Sequence, residues 1–187
     1  MQNHEKYMKR CHELALNGLG FVAPNPLVGC VIVKEEQIIA EGWHKKYGEA
    51  HAEVNAVRSL PADFDFSTCV LYVNLEPCSH HGKTPPCSDL IIEKKFRKVV
   101  IGNLDTNPLV AGKGIEKLKK AGIEVISGVL EKEGRELNKR FFTFHEKKRP
   151  FIILKWAQTE NGFISRWPLS DVREDNWITC NETNKLV

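Results

Sequence analysis

The residues of this chain that could do chemistry together are His51 and Glu53 in the stretch HAEVNAV, and Cys78 and Cys87 at the ends of CSHHGKTPPC. One imidazole and two thiolates suit a borderline-soft Zn²⁺, and three protein ligands leave one coordination position for water, as a catalytic zinc site requires. Glu53 stands two residues after His51 in an H-x-E arrangement, which suits a general acid/base beside the metal and not a further ligand. Cys30 and Cys69 could in principle supply a fourth donor and make the zinc structural. The strand pattern around Cys69, however, buries it away from the Pro77 turn.

Such a site needs elements that bring distant residues together. AHAEVNAVRSL reads as a helix starting near His51 and CSDLIIEKK as one starting near Cys87. Both ligands then lie at helix N-termini, whose dipole favours thiolate over thiol. TCVLYVNL (68–75) is an apolar, β-branched run that delivers Glu76, Pro77 and Cys78 at its C-terminal end, where sites of open α/β sheets gather. Ahead of it, Tyr7, Met8, Cys11, Leu14 and Ala15 recur at helical steps within 4–17. In APNPLVGC two prolines hold the chain extended and place Asn25 in a rigid loop before a strand over 27–33. QIIAEGW returns as its hairpin partner, and His44 follows in a loop. KVVIG (98–102), a helix over 115–122 and a strand over 123–127 complete a layered α/β domain with a partly parallel sheet. Residues 131–148 read as one charged helix, and 150–156 as a new strand before a turn at Asn161-Gly162.

The 187 residues allow one full domain and a remainder. Lys and Arg number 27 against 24 for Asp and Glu, a net charge of +3 that is too mild for a nucleic-acid or membrane surface but compatible with a phosphorylated small molecule. The polar N-terminus is neither a secretory signal nor a span. Six scattered cysteines do not form a disulfide scaffold, so a reducing cytoplasm is the expected compartment.

At PCSHHGKTPPC the sequence resembles the deaminase domain of the bifunctional riboflavin-biosynthesis deaminase/reductase. The eight residues between the cysteines separate it from cytidine, tRNA-adenosine and nucleic-acid-editing deaminases, which mostly carry P-C-x-x-C. The similarity extends over 4–145 through PNPLVGC, GWH, HAEVNA, LEPCSHHGKTPPC and DTNPLVAGKGI. It implies a three-layer α/β/α, cytidine-deaminase-like domain with a mixed five-stranded sheet. Zinc would sit on His51, Cys78 and Cys87, with Glu53 as proton shuttle. Asn25, His44, His80, Lys83, Asp105 and Asn107 match positions around the pyrimidine and its ribose phosphate. Read alone, Asn25 and Asp105 equally suit turn caps, His80 a local hydrogen bond and Lys83 a solvated charge. Thr106 stands where the family's D-P-N-P loop has proline.

The implied reaction is hydrolytic deamination of 2,5-diamino-6-ribosylamino-4(3H)-pyrimidinone 5′-phosphate. The alternative is a nucleoside, tRNA or other nucleic-acid base deaminase on the same zinc core. That reading needs a basic groove or stacking aromatics, and Lys94, Lys95, Lys117, Lys119 and Lys120 show no interleaved aromatic residues. RPFIILKWAQTENG and Trp177-Ile178-Thr179 resemble the start of the family's reductase domain. Residues 1–145 are therefore expected to form the deaminase domain, and 146–187 a connector and a short initial piece of a reductase. NADPH is expected only where such a domain is complete. A homo-oligomer through the apolar run Phe151–Trp156 is the further partner considered.

Overall fold

The computed structural model describes residues 4–80, 85–107, 111–158, 160 and 162. A boundary between Phe151 and Ile152 divides the chain into two units. In the first, the elements follow in the order α1 (His4–Leu16), β1 (Gly29–Lys34), β2 (Gln37–Trp43), α2 (Ala52–Arg58), β3 (Val70–Leu75), α3 (Cys87–Glu93), β4 (Lys98–Asn103), α4 (Lys113–Lys120), β5 (Glu124–Ser127), α5 (Glu131–Leu137) and α6 (Lys139–Lys147).

The strands form one sheet in the order β2-β1-β3-β4-β5. β1 is antiparallel to both β2 and β3, whereas β3, β4 and β5 run parallel, so the sheet is mixed as expected. Alternation along the strands sorts the core into two faces. Cys30, Ile32, Leu71, Val73, Val99 and Ile101 pack with Ala56, Ile91 and Leu118 of α2, α3 and α4. Val31, Val33, Val70, Tyr72 and Val100 face the other way, against Tyr7, Met8, Cys11 and Leu14 of α1. The three central strands, β1, β3 and β4, are buried on both sides, which is why they read as unbroken apolar runs.

Four expectations are corrected. APNP turns instead of running extended: Asn25 N–H donates to the Val22 carbonyl at 2.8 Å, and the Ala23-Pro24 bond is cis. The next strand then starts at Gly29 and not Leu27, because side chains and not a neighbouring strand take up the Leu27 backbone groups. The single helix over 131–148 is two, broken at Asn138, whose φ of −106° and ψ of 27° leave the helical region. Among residues 150–158 there is no strand. Ile152, Ile153, Leu154 and Trp156 are exposed there, and an apolar run with no neighbour to bond makes no ladder. Asn161 and Trp177 lie outside the described residues. No helix among the described residues is long and apolar enough to cross a membrane.

Candidate zinc centre and active site

Three elements converge to build the centre. His51 is the N-cap of α2, with an extended backbone at φ −71° and ψ 167°. That helix lies directly on β2 at Gly42, where a Cβ would stand 2.4 Å from the Ala52 carbonyl oxygen and the Ala56 nitrogen, so only glycine permits the approach. β3 ends at Leu75 and hands over to Glu76, Pro77 and Cys78. Cys87 opens α3 and donates its backbone N–H to Cys78 Sγ at 3.3 Å.

His51 Nδ1 consequently lies 3.6 Å from Cys78 Sγ and 3.3 Å from Cys87 Sγ. All three donor atoms fall within 4.8 Å of one another. A tetrahedral ion with Zn–S near 2.3 Å and Zn–N near 2.1 Å separates such ligands by about 3.6 Å, so the donor set fits one zinc. Cys78 is the more acidic thiol of the pair: the Cys87 thiol hydrogen bond, then that of His51, draws it down to about 4, against the opposing effect of burial. The Cys78 hydrogen bond pushes His51 up to about 9. Cys30 and Cys69 lie in the core, and among the described residues the ligand cluster is His51, Cys78 and Cys87 alone.

Glu53, in the first turn of α2, is only 3% exposed. Burial pushes its carboxyl above the ordinary carboxylate range, and it hydrogen-bonds the Cys87 thiol. A desolvated carboxyl beside a metal-ligand cluster is poised to move protons.

His44 is buried with its ring edge toward His51, centroids 5.5 Å apart. Its Nδ1 lies 3.1 Å from the Ala50 carbonyl, which can only accept, so Nδ1 carries the proton. Nε2 is then an acceptor for the Asn25 amide N–H at 3.1 Å. Burial holds the imidazole below its ordinary value. Asn25 therefore presents its carbonyl end elsewhere.

Asp105 follows β4 and accepts the Asn107 N–H at 2.7 Å, an Asx turn. Its carboxyl is raised to about 6, chiefly by burial, with Cys78 and His80 among its electrostatic neighbours. His80 itself is exposed. Lys83 lies outside the described residues.

Four supporting residues were not singled out from sequence. Asn55 donates to the Trp43 and Ala50 carbonyls at 2.8 and 3.2 Å, fixing the loop that carries His44. Asn74 accepts the Gly29 N–H and donates to the Leu27 carbonyl, and Asn138 also bonds Leu27. Glu76 gathers backbone N–H groups near Asp105. The available signal was polar Asn74 and Glu76 standing at the end of an otherwise wholly apolar strand.

The family model for the cytidine and deoxycytidylate deaminase zinc-binding region matches residues 1–103. A diaminohydroxyphosphoribosylamino-pyrimidine deaminase of Buchnera aphidicola subsp. Schizaphis graminum is 50% identical over 136 residues, 73% of this chain and 91% of that protein. This chain belongs to that deaminase family. The riboflavin biosynthesis protein RibD of Actinobacillus pleuropneumoniae is 51% identical over 181 residues, which cover 97% of this chain and 46% of that protein. The chain thus spans about half the length of that relative. A crystal structure of a diaminohydroxyphosphoribosylaminopyrimidine deaminase/5-amino-6-(5-phosphoribosylamino)uracil reductase from Thermotoga maritima matches with a TM-score of 0.82 at 49% identity, covering 91% of this chain and 51% of that one. The fold is that of the family's deaminase domain, and zinc is the cofactor that its matched region and the His-Cys-Cys cluster support.

Proposed function

We propose that this chain carries out the riboflavin-pathway deamination of 2,5-diamino-6-ribosylamino-4(3H)-pyrimidinone 5′-phosphate, giving the 5-amino-6-ribosylaminouracil phosphate and ammonia. The observation that carries this reading is the meeting of His51, Cys78 and Cys87 beside the buried Glu53, in a chain half identical to a named deaminase of that pyrimidine.

His51, Cys78 and Cys87 would hold the zinc, whose charge lowers the pKa of water from about 15.7 toward about 7 when bound. Glu53 takes the proton released there and returns protons to the ring nitrogen and the departing amine. Its burial keeps competing solvent from the carboxyl. Neutral His44 holds Asn25 through Nε2, so the Asn25 amide oxygen is available to accept from a substrate N–H. Asp105 and Asn107 supply a second polar edge. His80 and Lys83 are assigned to the ribose phosphate by family resemblance. We assign residues 1–145 to the deaminase domain and 146–187 to a connector and the start of a reductase domain, with NADPH reserved for a chain in which that domain is complete.

A small substrate is favoured over a nucleic acid because three of the five candidate lysines are engaged. Lys117 pairs with Asp89, Lys120 with Glu116 at 2.6 Å, and Lys94 lies over the Phe66 ring. A cytoplasmic, membrane-free setting and self-association through the exposed residues 152–156 complete the reading. Ammonia release should be measured on the phosphorylated diaminopyrimidine, on cytidine and on a tRNA anticodon stem. Turnover confined to the first supports this function, and turnover confined to RNA replaces it with the nucleic-acid alternative.

A further inference from the structure

Glu76 is 4% exposed and immediately precedes Pro77 and Cys78, yet it is neither a metal donor nor a proton carrier in the reading above. Its two oxygens accept four backbone N–H groups. Oε2 takes those of Asp105 at 3.2 Å and Gly112 at 3.0 Å, and Oε1 takes those of Gly114 at 3.0 Å and Ile115 at 3.2 Å. A carboxylate offers about four lone-pair directions, so nothing remains for a ligand.

The four donors fall into two groups with different meaning. Gly114 and Ile115 lie in the first turn of α4, whose N-cap, Gly112, has no side chain to cap it. Their N–H groups are among those that a helix leaves without internal partners, and a negative charge there also meets the helix dipole. Glu76 thus caps α4 from a strand end 38 residues earlier in the chain. Asp105 belongs to the opposite end of the same connection, and its N–H shares Oε2 with that of Gly112. One side chain therefore ties Asp105, after β4, to Gly112, before α4. The start of α4 is also pressed on the metal turn: a Cβ on Gly114 would stand 2.2 Å from the Pro77 carbonyl oxygen. The backbone of Glu76 is itself anchored, its N–H donating to the Asn103 carbonyl at 2.9 Å.

We propose that Glu76 is a positioning residue: it holds the Asp105 turn and the start of α4 in register with the Pro77-Cys78 turn, and so sets substrate affinity without touching substrate. The proposal rests on the deaminase reading and names a residue through which substrate loop and zinc ligand are held together.

The test is Glu76→Gln in the full chain. The amide keeps the shape but turns an N–H₂ toward two backbone donors, which leaves two N–H groups without an acceptor. Zinc content should be unchanged and kcat should stay within about threefold, whereas KM should rise about tenfold or more, as expected when buried donors lose their acceptor. Amide exchange should accelerate at Asp105, Gly112, Gly114 and Ile115 and not across β1 and β3. In an Asp105→Ala background, Glu76→Gln should add little to KM, because both changes act through one turn. If the glutamine variant does not fold, Glu76→Asp carries the same comparison, since it keeps both oxygens but withdraws them by one methylene. An unchanged KM, or zinc lost in step with activity, overturns the proposal. If the wild-type chain releases no ammonia from the pyrimidine, the deaminase reading fails first. Exchange at the four amides then decides whether Glu76 holds the connection.

Discussion

Asn138 grips Leu27 across 111 residues of sequence: its Oδ1 accepts the Leu27 N–H at 2.8 Å and its Nδ2 donates to the Leu27 carbonyl at 2.9 Å. The Leu27 carbonyl also accepts from Asn74 at 3.0 Å, so the link between the Asn25 turn and β1 is locked from two elements. Asn138→Ala strands the buried Leu27 N–H, which costs about 1–3 kcal/mol. Asn138→Asp should not rescue it, because its second oxygen would face the Leu27 carbonyl. Urea unfolding of both variants checks this, and full stability of the aspartate variant would show that the Nδ2 bond carries nothing.

The contrast between Asn138 and Cys78 shows what a sequence displays and what it hides. Cys78, Cys87, His51 and Glu53 announce themselves because metal chemistry admits few residue types and the spacing places each at a strand end or helix start. The sheet was legible for a related reason, since strands buried on both faces read as apolar runs. Asn138 looks like a surface polar residue until its distant backbone partner is known, and Glu76, conspicuous at its strand end, still hides its partners, because no local pattern encodes a partner at such a separation. The same ignorance of neighbours joined α5 to α6 and made a strand of residues 150–156. Helical periodicity there carries through Asn138, and β propensity at Phe151 to Trp156 has no neighbouring strand to realise it.

Thr106 sits between two proposed substrate residues, and its buried Oγ1 has no hydrogen-bond partner among the described residues. A buried hydroxyl without a partner is a net cost, whereas a methyl of the same shape is not. Thr106→Val should therefore raise stability by about 0.5–1 kcal/mol, read as a higher thermal midpoint. A lower midpoint would mean that the hydroxyl is satisfied in solution.

The Arg10 guanidinium meets Glu41 in a two-pronged pair, Nε to Oε1 at 2.7 Å and Nη2 to Oε2 at 2.9 Å. Its hydrogen bonds hold the Glu41 carboxyl below the ordinary carboxylate range. A lowered acid stabilises the fold fully above its unfolded value of about 4.3 and loses that contribution as pH falls through the lowered folded value. The side chains are 41% and 31% exposed, so screening limits the pair to about 0.5–1 kcal/mol. Glu41→Gln should be destabilised by that amount at pH 7, with the gap to wild type closing below about pH 4. Denaturant midpoints at the two pH values test the sign, and a gap that widens in acid would contradict it.

Glu53 offers the sharpest separation of metal binding from chemistry. It lies two residues from His51 and is hydrogen-bonded to Cys87, yet it stands outside the donor cluster. Glu53→Gln keeps the side-chain shape and leaves His51 Nδ1 and both thiols in place, so zinc content and the folded state should match wild type. What glutamine cannot do is accept a proton from water and deliver it to the ring nitrogen and the leaving amine. Loss of a positioned acid/base of this kind slows turnover by about 10²–10⁴-fold. KM should change far less than kcat, since substrate contacts are assigned to Asn25, His44 and the Asp105 turn. Cys87→Ser provides the opposite pattern, removing a soft donor so that zinc and activity fall together. Ammonia release and bound zinc, measured side by side on both variants, decide the matter. A Glu53→Gln protein that retains zinc and works at the wild-type rate would remove Glu53 from the reaction.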